Sequence, residues 1–369
     1  MERKYFKVHE ANILFLLLAI VFITVGASAQ SWHIHIGLLI TEYIIVFLPV
    51  LLAGAILKVD LKSALKLNPI KMSTIVKIVF ISFLAIPAVA TVNLIPIAIL
   101  NHFDKVMLPE IPSPTTTVDF LISFFVIAIS PGICEEVFFR GLVLNAYETA
   151  YNRKIGAIVA AVLFGIFHFN IQNLFGPMVI GLLAAYIMQI TNSIYAAIAV
   201  HMANNGIAVV SDYLSTLYMT EVTEVSNSAN ALNVSTAELM TTISVMMVMA
   251  FIGLILIKLL INGLKRDTFY YALGEPFIME DKRFYLVGKS LSYGTIIPRE
   301  AAFDGDQYNL EAEEHMSWRV LNARRPRRIH DIWANQPYGE TVDAKAFAPV
   351  VGVVCLYVYL LYQFLTYTG

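Results

Sequence analysis

The chain has 369 residues, of which 58% are hydrophobic and only 14% carry a charge. A soluble domain of this size does not need so many apolar side chains, so the composition excludes an ordinary soluble enzyme and indicates an integral membrane protein. The formal net charge of −2 is close to neutral, which argues against nucleic acid as a partner.

Hydropathy predicts eight transmembrane spans, then a polar region, then a ninth span. We therefore expect an all-α fold, a multi-pass transmembrane helical bundle with a polar, mixed-structure region near the C-terminus. The predicted spans are 11–29, 36–57, 75–100, 118–147, 155–170, 173–190, 193–213, 238–263 and 347–367.

The first span has a second interpretation as a cleaved secretory signal. Basic residues precede its apolar run, and Ala27-Ser28-Ala29 resembles a signal-peptidase site. We favour a retained anchor, because at least seven spans follow and the run can itself cross a bilayer.

Lys and Arg residues alternate from loop to loop along the chain. They are frequent at the N-terminus, between spans two and three, between spans four and five and after span eight, whereas 214–237 contains none. Since positive loops remain on the cytoplasmic side, we expect a multi-pass protein of the cell membrane. Its N-terminus and residues 264–346 would then lie in the cytoplasm.

These patterns divide the chain into five predicted parts. The expected division is N-terminal spans at 1–116, a core with embedded polar residues at 117–213, an outer loop and eighth span at 214–263, a polar region at 264–346 and a C-terminal span at 347–369.

The polar region has two further signals. Residues 284–288 and 292–297 have the composition of β-strands. The basic cluster Arg324–Arg328 is typical of a patch that faces lipid head groups.

Charged residues within the fourth predicted span are the main functional signal, because such groups usually face a bundle interior or a watery cavity. Glu136 and Arg140 are four residues apart, so they share a helix face and can neutralise each other. Adjacent helical residues point about 100° apart, which leaves Glu135 to face elsewhere as a candidate general base.

Two later spans each carry a histidine with a partner one turn away. Phe164 and His168 share one helix face, where a neutral imidazole can share a water molecule with Glu135. His201 and Asn205 share a face of the seventh span. Both can donate hydrogen bonds to the oxyanion of a tetrahedral intermediate.

Each of these elements alone has a purely structural interpretation. A lone histidine packs in many spans, a Glu–Arg pair can join helices, and asparagine can bind helices together. Their conjunction favours a functional site, since three polar elements with one-turn spacing fall within spans four, five and seven.

The motifs Glu-Glu-x-x-x-Arg at 135–140, Phe-x-x-x-His at 164–168 and His-x-x-x-Asn at 201–205 resemble those of a known family. It is the CAAX protease and bacteriocin-processing (CPBP, also called Abi) family of intramembrane proteases, which includes the type II CAAX prenyl endopeptidases. The resemblance covers roughly residues 117–210, and the region 264–346 and the ninth span are not part of the family core.

The resemblance implies peptide-bond hydrolysis within a conical membrane cavity. It implies that Glu135 is the catalytic carboxylate and that His168 is its partner in activating water. It also implies that His201 and Asn205 form the oxyanion site. Glu136, Arg140 and Phe164 would take supporting places.

Metal dependence is a separate question at this level. Glu135, His168 and His201 are a candidate zinc set, two histidines and one carboxylate with an open position. However, the sequence contains no His-Glu-x-x-His motif, and a glutamate-activated water explains the motifs without metal. We therefore expect no cofactor, with Zn²⁺ as the alternative.

The sequence thus predicts an intramembrane endopeptidase that acts on membrane-associated or prenylated proteins or peptides, with the lipid bilayer as its other partner. The alternative is a non-catalytic binding or immunity protein of the same fold, which we favour less because every expected catalytic position is filled. A proton-coupled transporter is a third hypothesis. Such transporters often show two similar halves, which this sequence lacks.

Overall fold

The computed structural model describes residues 5–103, 105–106, 111–222, 236–273, 277–278, 284–285, 302–304, 307–309 and 342–366. Ten helices account for most of these residues, which confirms the predicted all-α multi-pass bundle. They are α1 (Val8–Trp32), α2 (Ile34–Ile56), α3 (Leu61–Ala64), α4 (Met72–His102), α5 (Thr117–Ala150), α6 (Arg153–Phe167), α7 (Phe175–Thr191), α8 (Ile194–Val222), α9 (Thr236–Leu273) and α10 (Ala348–Thr366).

Seven helices in the described part of the chain are long and apolar enough to cross a membrane. The predicted spans 155–170 and 173–190 differ, because they form α6 of 15 residues and α7 of 17 residues. A full crossing needs about 20 residues. These two short helices are packed together inside the bundle, and neither is long enough to cross the bilayer by itself.

Helix α6 ends earlier than the sequence suggests. Its last helical residue is Phe167, and Phe169 follows with a left-handed backbone, φ 47°. A residue in this conformation ends a helix because the chain can no longer continue its turn. His168 therefore lies at the C-terminal end of α6 rather than inside a span.

Wide π-helical turns interrupt three of the helices. They are Phe22–Gly26 in α1, Ile40–Phe47 in α2, and Phe124–Ile129 and Val137–Leu144 in α5. Such turns disturb the normal helical hydrogen bonds and are frequent at functional sites. Side chains bond to the affected carbonyls in α5: Ser130 Oγ lies 3.0 Å from Phe125 O, and Asn205 Nδ2 lies 2.9 Å from Ile127 O.

Helix α5 is the central element of the bundle. Every residue from 134 to 148 is buried, so the charged groups of this segment face protein and not acyl chains. Phe15 of α1 packs at 6.3 Å from the Phe138 ring, and Phe138 and Phe139 meet edge to face at 4.8 Å. The apolar faces of α5 are thus filled by aromatic packing, while Glu135 lines a cavity and Glu136 pairs with Arg140.

A buried ionic cluster closes one end of α5. Glu148 binds Lys66 Nζ at 3.2 Å and Arg153 Nε at 3.0 Å. Burial lowers the pKa of Lys66, and the Glu148 carboxylate opposes that shift. The cluster joins the loop after α3 to α5 and the start of α6.

The first and last helices are packed against each other, so α1 belongs to the folded body. Asn12 donates to Ala346 O at 2.8 Å and accepts from Tyr147 OH at 2.9 Å. The tripeptide 27–29 lies within α1.

Helix α9 extends into the predicted polar region as far as Leu273, and two short antiparallel strand pairs are described beyond it. Strand β1 (Phe277–Ile278) pairs with β2 (Phe284–Tyr285), and β3 (Ala302–Asp304) pairs with β4 (Gln307–Asn309). Strand β2 falls at the start of the predicted strand 284–288. The second predicted strand, 292–297, and the basic cluster at 324–328 lie outside the described residues.

Candidate active site

A cavity of about 620 Å³ lies between α2, α4, α5 and α8, with the end of α6 and the start of α7 at its wall. This volume is typical of sites that bind small ligands or peptide segments. The cavity brings together all four residues predicted to be catalytic and one supporting residue; they are Glu135, Phe164, His168, His201 and Asn205.

The supporting pair Glu136 and Arg140 lies behind the cavity. Glu136 Oε1 is 2.9 Å from Arg140 Nη1, and both side chains are fully buried. The guanidinium also lies over the Phe164 ring, 4.6 Å from its centroid, a favourable cation–π position. A Cβ on Gly181 would come within 3.1 Å of Arg140 Nη2, so this glycine allows α7 to approach the pair.

His201 lies between the two adjacent glutamates. Its Nδ1 is 2.8 Å from Glu136 Oε1, and its Nε2 is 3.7 Å from Glu135 Oε2. The Glu136 carboxylate, paired with Arg140, accepts a hydrogen, so Nδ1 carries the proton. A neutral His201 then presents a lone pair at Nε2. The oxyanion role expected of this residue therefore requires the protonated imidazolium.

His168 is held at the end of α6 by its own helix. Its Nδ1 lies 2.9 Å from Phe164 O, and because a carbonyl only accepts, Nδ1 donates the hydrogen. The ring meets Phe164 edge to face, with centroids 5.0 Å apart. These two contacts fix the orientation of the imidazole and leave Nε2 as the nitrogen with a lone pair.

Asn205 is anchored by a bond that the sequence did not indicate. Its Nδ2 donates to Ile127 O at 2.9 Å, in the π-helical turn of α5, and its Oδ1 accepts from Asn204 Nδ2 at 3.0 Å. An amide carries two hydrogens, so one remains for a further acceptor. Asn204 also lines the cavity and was not among the predicted site residues. Its position directly before Asn205 in the sequence could have indicated it.

Glu42, a second carboxyl in the cavity wall beside Glu135, was not among the predicted site residues. It lies in the π-helical turn of α2, is 6% exposed and lines the same cavity as Glu135. Its Oε2 has no hydrogen-bond partner among the described residues. The neighbouring Tyr43 joins α2 to α5 through Ser130, with 3.3 Å between the hydroxyls. An acidic residue inside a predicted span is itself a functional signal, and Glu42 satisfies that criterion.

A second missed residue is Asn93 in α4. Its Oδ1 accepts from Gly176 N at 2.7 Å, and its Nδ2 donates to Asn173 Oδ1 at 3.2 Å. These bonds hold the segment that follows His168 and the first turn of α7. Asn93 therefore fixes one edge of the cavity from outside the motif-bearing helices.

The candidate zinc set is not assembled as a metal site. In the part of the chain that the structure describes, no group of three or more His, Cys, Asp or Glu side chains is arranged to hold a metal ion. His201 Nδ1 is bonded to Glu136 and His168 Nδ1 to a backbone carbonyl. These bonds leave Nε2 of both histidines with a lone pair, so it is the separation of the three side chains, and not the Nδ1 bonds, that distinguishes the cavity from a ready-made zinc site.

Residues 117–207 match the family model described as type II CAAX prenyl endopeptidase Rce1-like. Over this segment the chain is similar to the CPBP family of intramembrane proteases. It contains the three motifs on α5, α6 and α8, which confirms the resemblance seen in the sequence. No curated protein and no solved structure matches the chain. Glu42 and Asn93 lie outside the segment that matches the CPBP model.

Proposed function

We propose that the chain is an intramembrane endopeptidase that hydrolyses a peptide bond of a membrane-associated or prenylated substrate, with water activated by Glu135. One observation carries this proposal. Glu135 Oε2 faces His201 Nε2 at 3.7 Å in a cavity that His168 also lines, inside a bundle of membrane-spanning helices. The Rce1-like match supports the reaction class.

Hydrolysis begins with a water molecule between Glu135 and His168. Glu135 removes one proton as general base, and the hydroxide adds to the scissile carbonyl carbon to form a tetrahedral intermediate. Glu135 then delivers that proton to the leaving nitrogen, and the C–N bond breaks. One water is consumed, the new carboxyl and amine are released, and Glu135 returns to its starting state.

Stabilisation of the oxyanion falls to α8 in this mechanism. The second amide hydrogen of Asn205 is one donor, and His201 with a proton on Nε2 is the other. Glu136 does not touch the substrate. It holds His201 Nδ1 at 2.8 Å and is itself neutralised by Arg140, so we assign Glu136 and Arg140 a positioning role.

The proposed setting is a cell membrane with the N-terminus in the cytoplasm. The alternation of basic loops in the sequence supports that orientation. The cavity wall carries many apolar side chains, Leu38, Ile86 and Val89 among them, and such a wall suits a peptide that carries a lipid group. We further propose that no metal takes part.

The decisive experiment compares the native chain with Glu135→Gln in liposomes. The probe is a fluorogenic farnesylated peptide ending in Cys-Val-Ile-Ser, which has the composition of a prenylated substrate. Loss of the general base should lower turnover by about 10²- to 10⁴-fold, with unchanged thermal stability. The matched control is Glu238→Gln, which changes an exposed glutamate at the start of α9 and should retain native turnover.

Native turnover by the Glu135→Gln protein would defeat the proposal. A non-catalytic binding or immunity role predicts a different result in cells. There, the folded Glu135→Gln protein would support the same phenotype as the native chain, whereas a protease would not.

A further inference from the structure

Among the described residues that line the cavity, Glu42 is the carboxyl that the proposed mechanism does not use. It comes from α2, which faces the motif-bearing segment of α5, and both Glu42 and Glu135 line the cavity. The π-helical turn Ile40–Phe47 carries it, and the contact between Tyr43 and Ser130 joins that turn to α5. The position of Glu42 relative to Glu135 is thus fixed by packing.

Glu42 has a carboxyl oxygen that no other group in the described part of the chain uses. Its Oε2 is buried and, among the described residues, has no hydrogen-bond partner. Buried polar atoms without a partner are rare and costly. The cations of the motif face its own carboxylates, because Arg140 pairs with Glu136 and His201 lies between Glu135 and Glu136. A molecule bound in the cavity can supply a donor to Glu42.

The surroundings of Glu42 indicate which donor is suitable. Leu38 lies one turn earlier on α2 and also lines the cavity, and Ile86 and Val89 of α4 add further apolar surface. A backbone N–H suits this environment, because it is neutral and needs only one acceptor. A cationic side chain would bring a charge into an apolar wall at a high desolvation cost.

We propose that Glu42 is a substrate-positioning residue whose Oε2 accepts a hydrogen bond from a backbone N–H of the bound peptide. The inference rests on the proposed protease function and deepens it. A peptide held by Glu42 on α2 has its register fixed relative to Glu135 on α5. The bond therefore selects which carbonyl is presented to the activated water.

The test measures peptide binding in the Glu135→Gln background, which separates binding from turnover. The full chain in nanodiscs is titrated with the farnesylated peptide carrying a fluorophore, and Kd is read from anisotropy. Glu42→Met, which keeps the volume but removes the acceptor, should weaken binding about tenfold. Glu42→Gln keeps an acceptor oxygen and should weaken binding by no more than about threefold.

Ester-containing peptides then identify the donor. Each amide bond that is not cleaved is replaced in turn by an ester, which removes a single N–H. One of these peptides should bind about tenfold more weakly to the protein with Glu42. The same peptide should bind as well as the all-amide form to the Glu42→Met protein. This non-additivity reports a direct contact, and a merely structural role for Glu42 would not produce it.

Three outcomes overturn the inference. The first is that Glu42→Met binds the peptide with unchanged affinity. The second is that the ester substitution weakens binding equally in the proteins with and without Glu42. The third is that Glu42→Gln and Glu42→Met lose affinity equally, and only for peptides with a basic side chain, which would identify a charge contact instead of a backbone N–H. If Glu42→Met does not fold, Glu42→Gln decides. If one ester-containing peptide still binds more weakly than the others to the Glu42→Gln protein, the contact is supported. If none does, the contact is rejected.

The proposed function has its own separate failure. If the native chain does not cleave the farnesylated peptide, the protease proposal fails whatever the binding data show. If cleavage occurs and Glu42→Met leaves KM unchanged, only the role of Glu42 is rejected.

Discussion

His201 Nδ1 lies 2.8 Å from Oε1 of Glu136, the same oxygen that is 2.9 Å from Arg140 Nη1. One carboxylate oxygen therefore neutralises a buried guanidinium and also orients a cavity histidine. The second glutamate of the motif is explained by this double contact, since its neighbour Glu135 faces the cavity and cannot make either bond.

Removal of the Glu136 charge should destabilise the fold and lower activity. Glu136→Gln leaves Arg140 as an unpaired buried charge, which typically costs about 3–5 kcal/mol. The free energy of unfolding in mild detergent with a chemical denaturant measures this loss.

A double variant separates stability from catalysis. Glu136→Leu with Arg140→Met removes both charges, so most of the stability should return. Turnover of the farnesylated peptide should remain low, because His201 has still lost its partner at Nδ1. Native stability in Glu136→Gln, or native turnover in the double variant, would contradict this account.

Asn205→Ala should reduce turnover with little change in KM. Removal of a single oxyanion donor costs about 10²- to 10³-fold in kcat in other hydrolases. Asn204→Ala is the matched control, because it removes only the bond to Asn205 Oδ1, and its effect should be several-fold smaller. Equal losses in the two variants would show that the amides act by helix packing alone.

Asn93→Leu should disturb the site from a distance. It removes the bonds to Asn173 and to the Gly176 backbone, so the segment after His168 loses its attachment to α4. We expect about a tenfold lower kcat/KM from the loss of two hydrogen bonds, and faster hydrogen exchange in residues 169–176. Thr91→Val removes only a bond to Pro87 O within α4 and should leave both measurements unchanged.

Removal of metal should leave proteolysis intact. After prolonged dialysis of the protein against a strong chelator, the rate of cleavage of the farnesylated peptide should equal that of the untreated sample. A loss that zinc restores and magnesium does not would reject the metal-free mechanism, and would show that the three cavity side chains can rearrange around an ion.

Much of the site could be predicted from helical spacing alone. The pairing of Glu136 with Arg140 and the separate direction of Glu135 follow from four-residue and one-residue offsets, and the structure has both. The approach of His168 and His201 to one cavity was expected from the motif set.

Other features depend on tertiary contacts that spacing does not show. The early end of α6 reflects the left-handed backbone of Phe169, a residue type that gives no such signal. The hydrogen bonds of Asn205 to Ile127 and of Asn93 to Gly176 depend on which helices become neighbours. Glu42 could have been found, since it is an acidic residue within a predicted span, but no motif drew attention to it.

The enclosure of α5 also constrains how the chain is synthesised. Glu136 and Arg140 neutralise each other within α5, but the contacts of both glutamates with His201 and of Arg140 with the Phe164 ring come from α8 and α6. Both of these helices leave the ribosome after α5. Charged groups at the centre of a span each oppose insertion by about 2.5–3.5 kcal/mol. We therefore expect nascent α5 to be retained at the translocon, or to pack against α1 and α2, until α6 and α8 have been inserted. Chains that stop before α8 are expected to be substrates for membrane quality control.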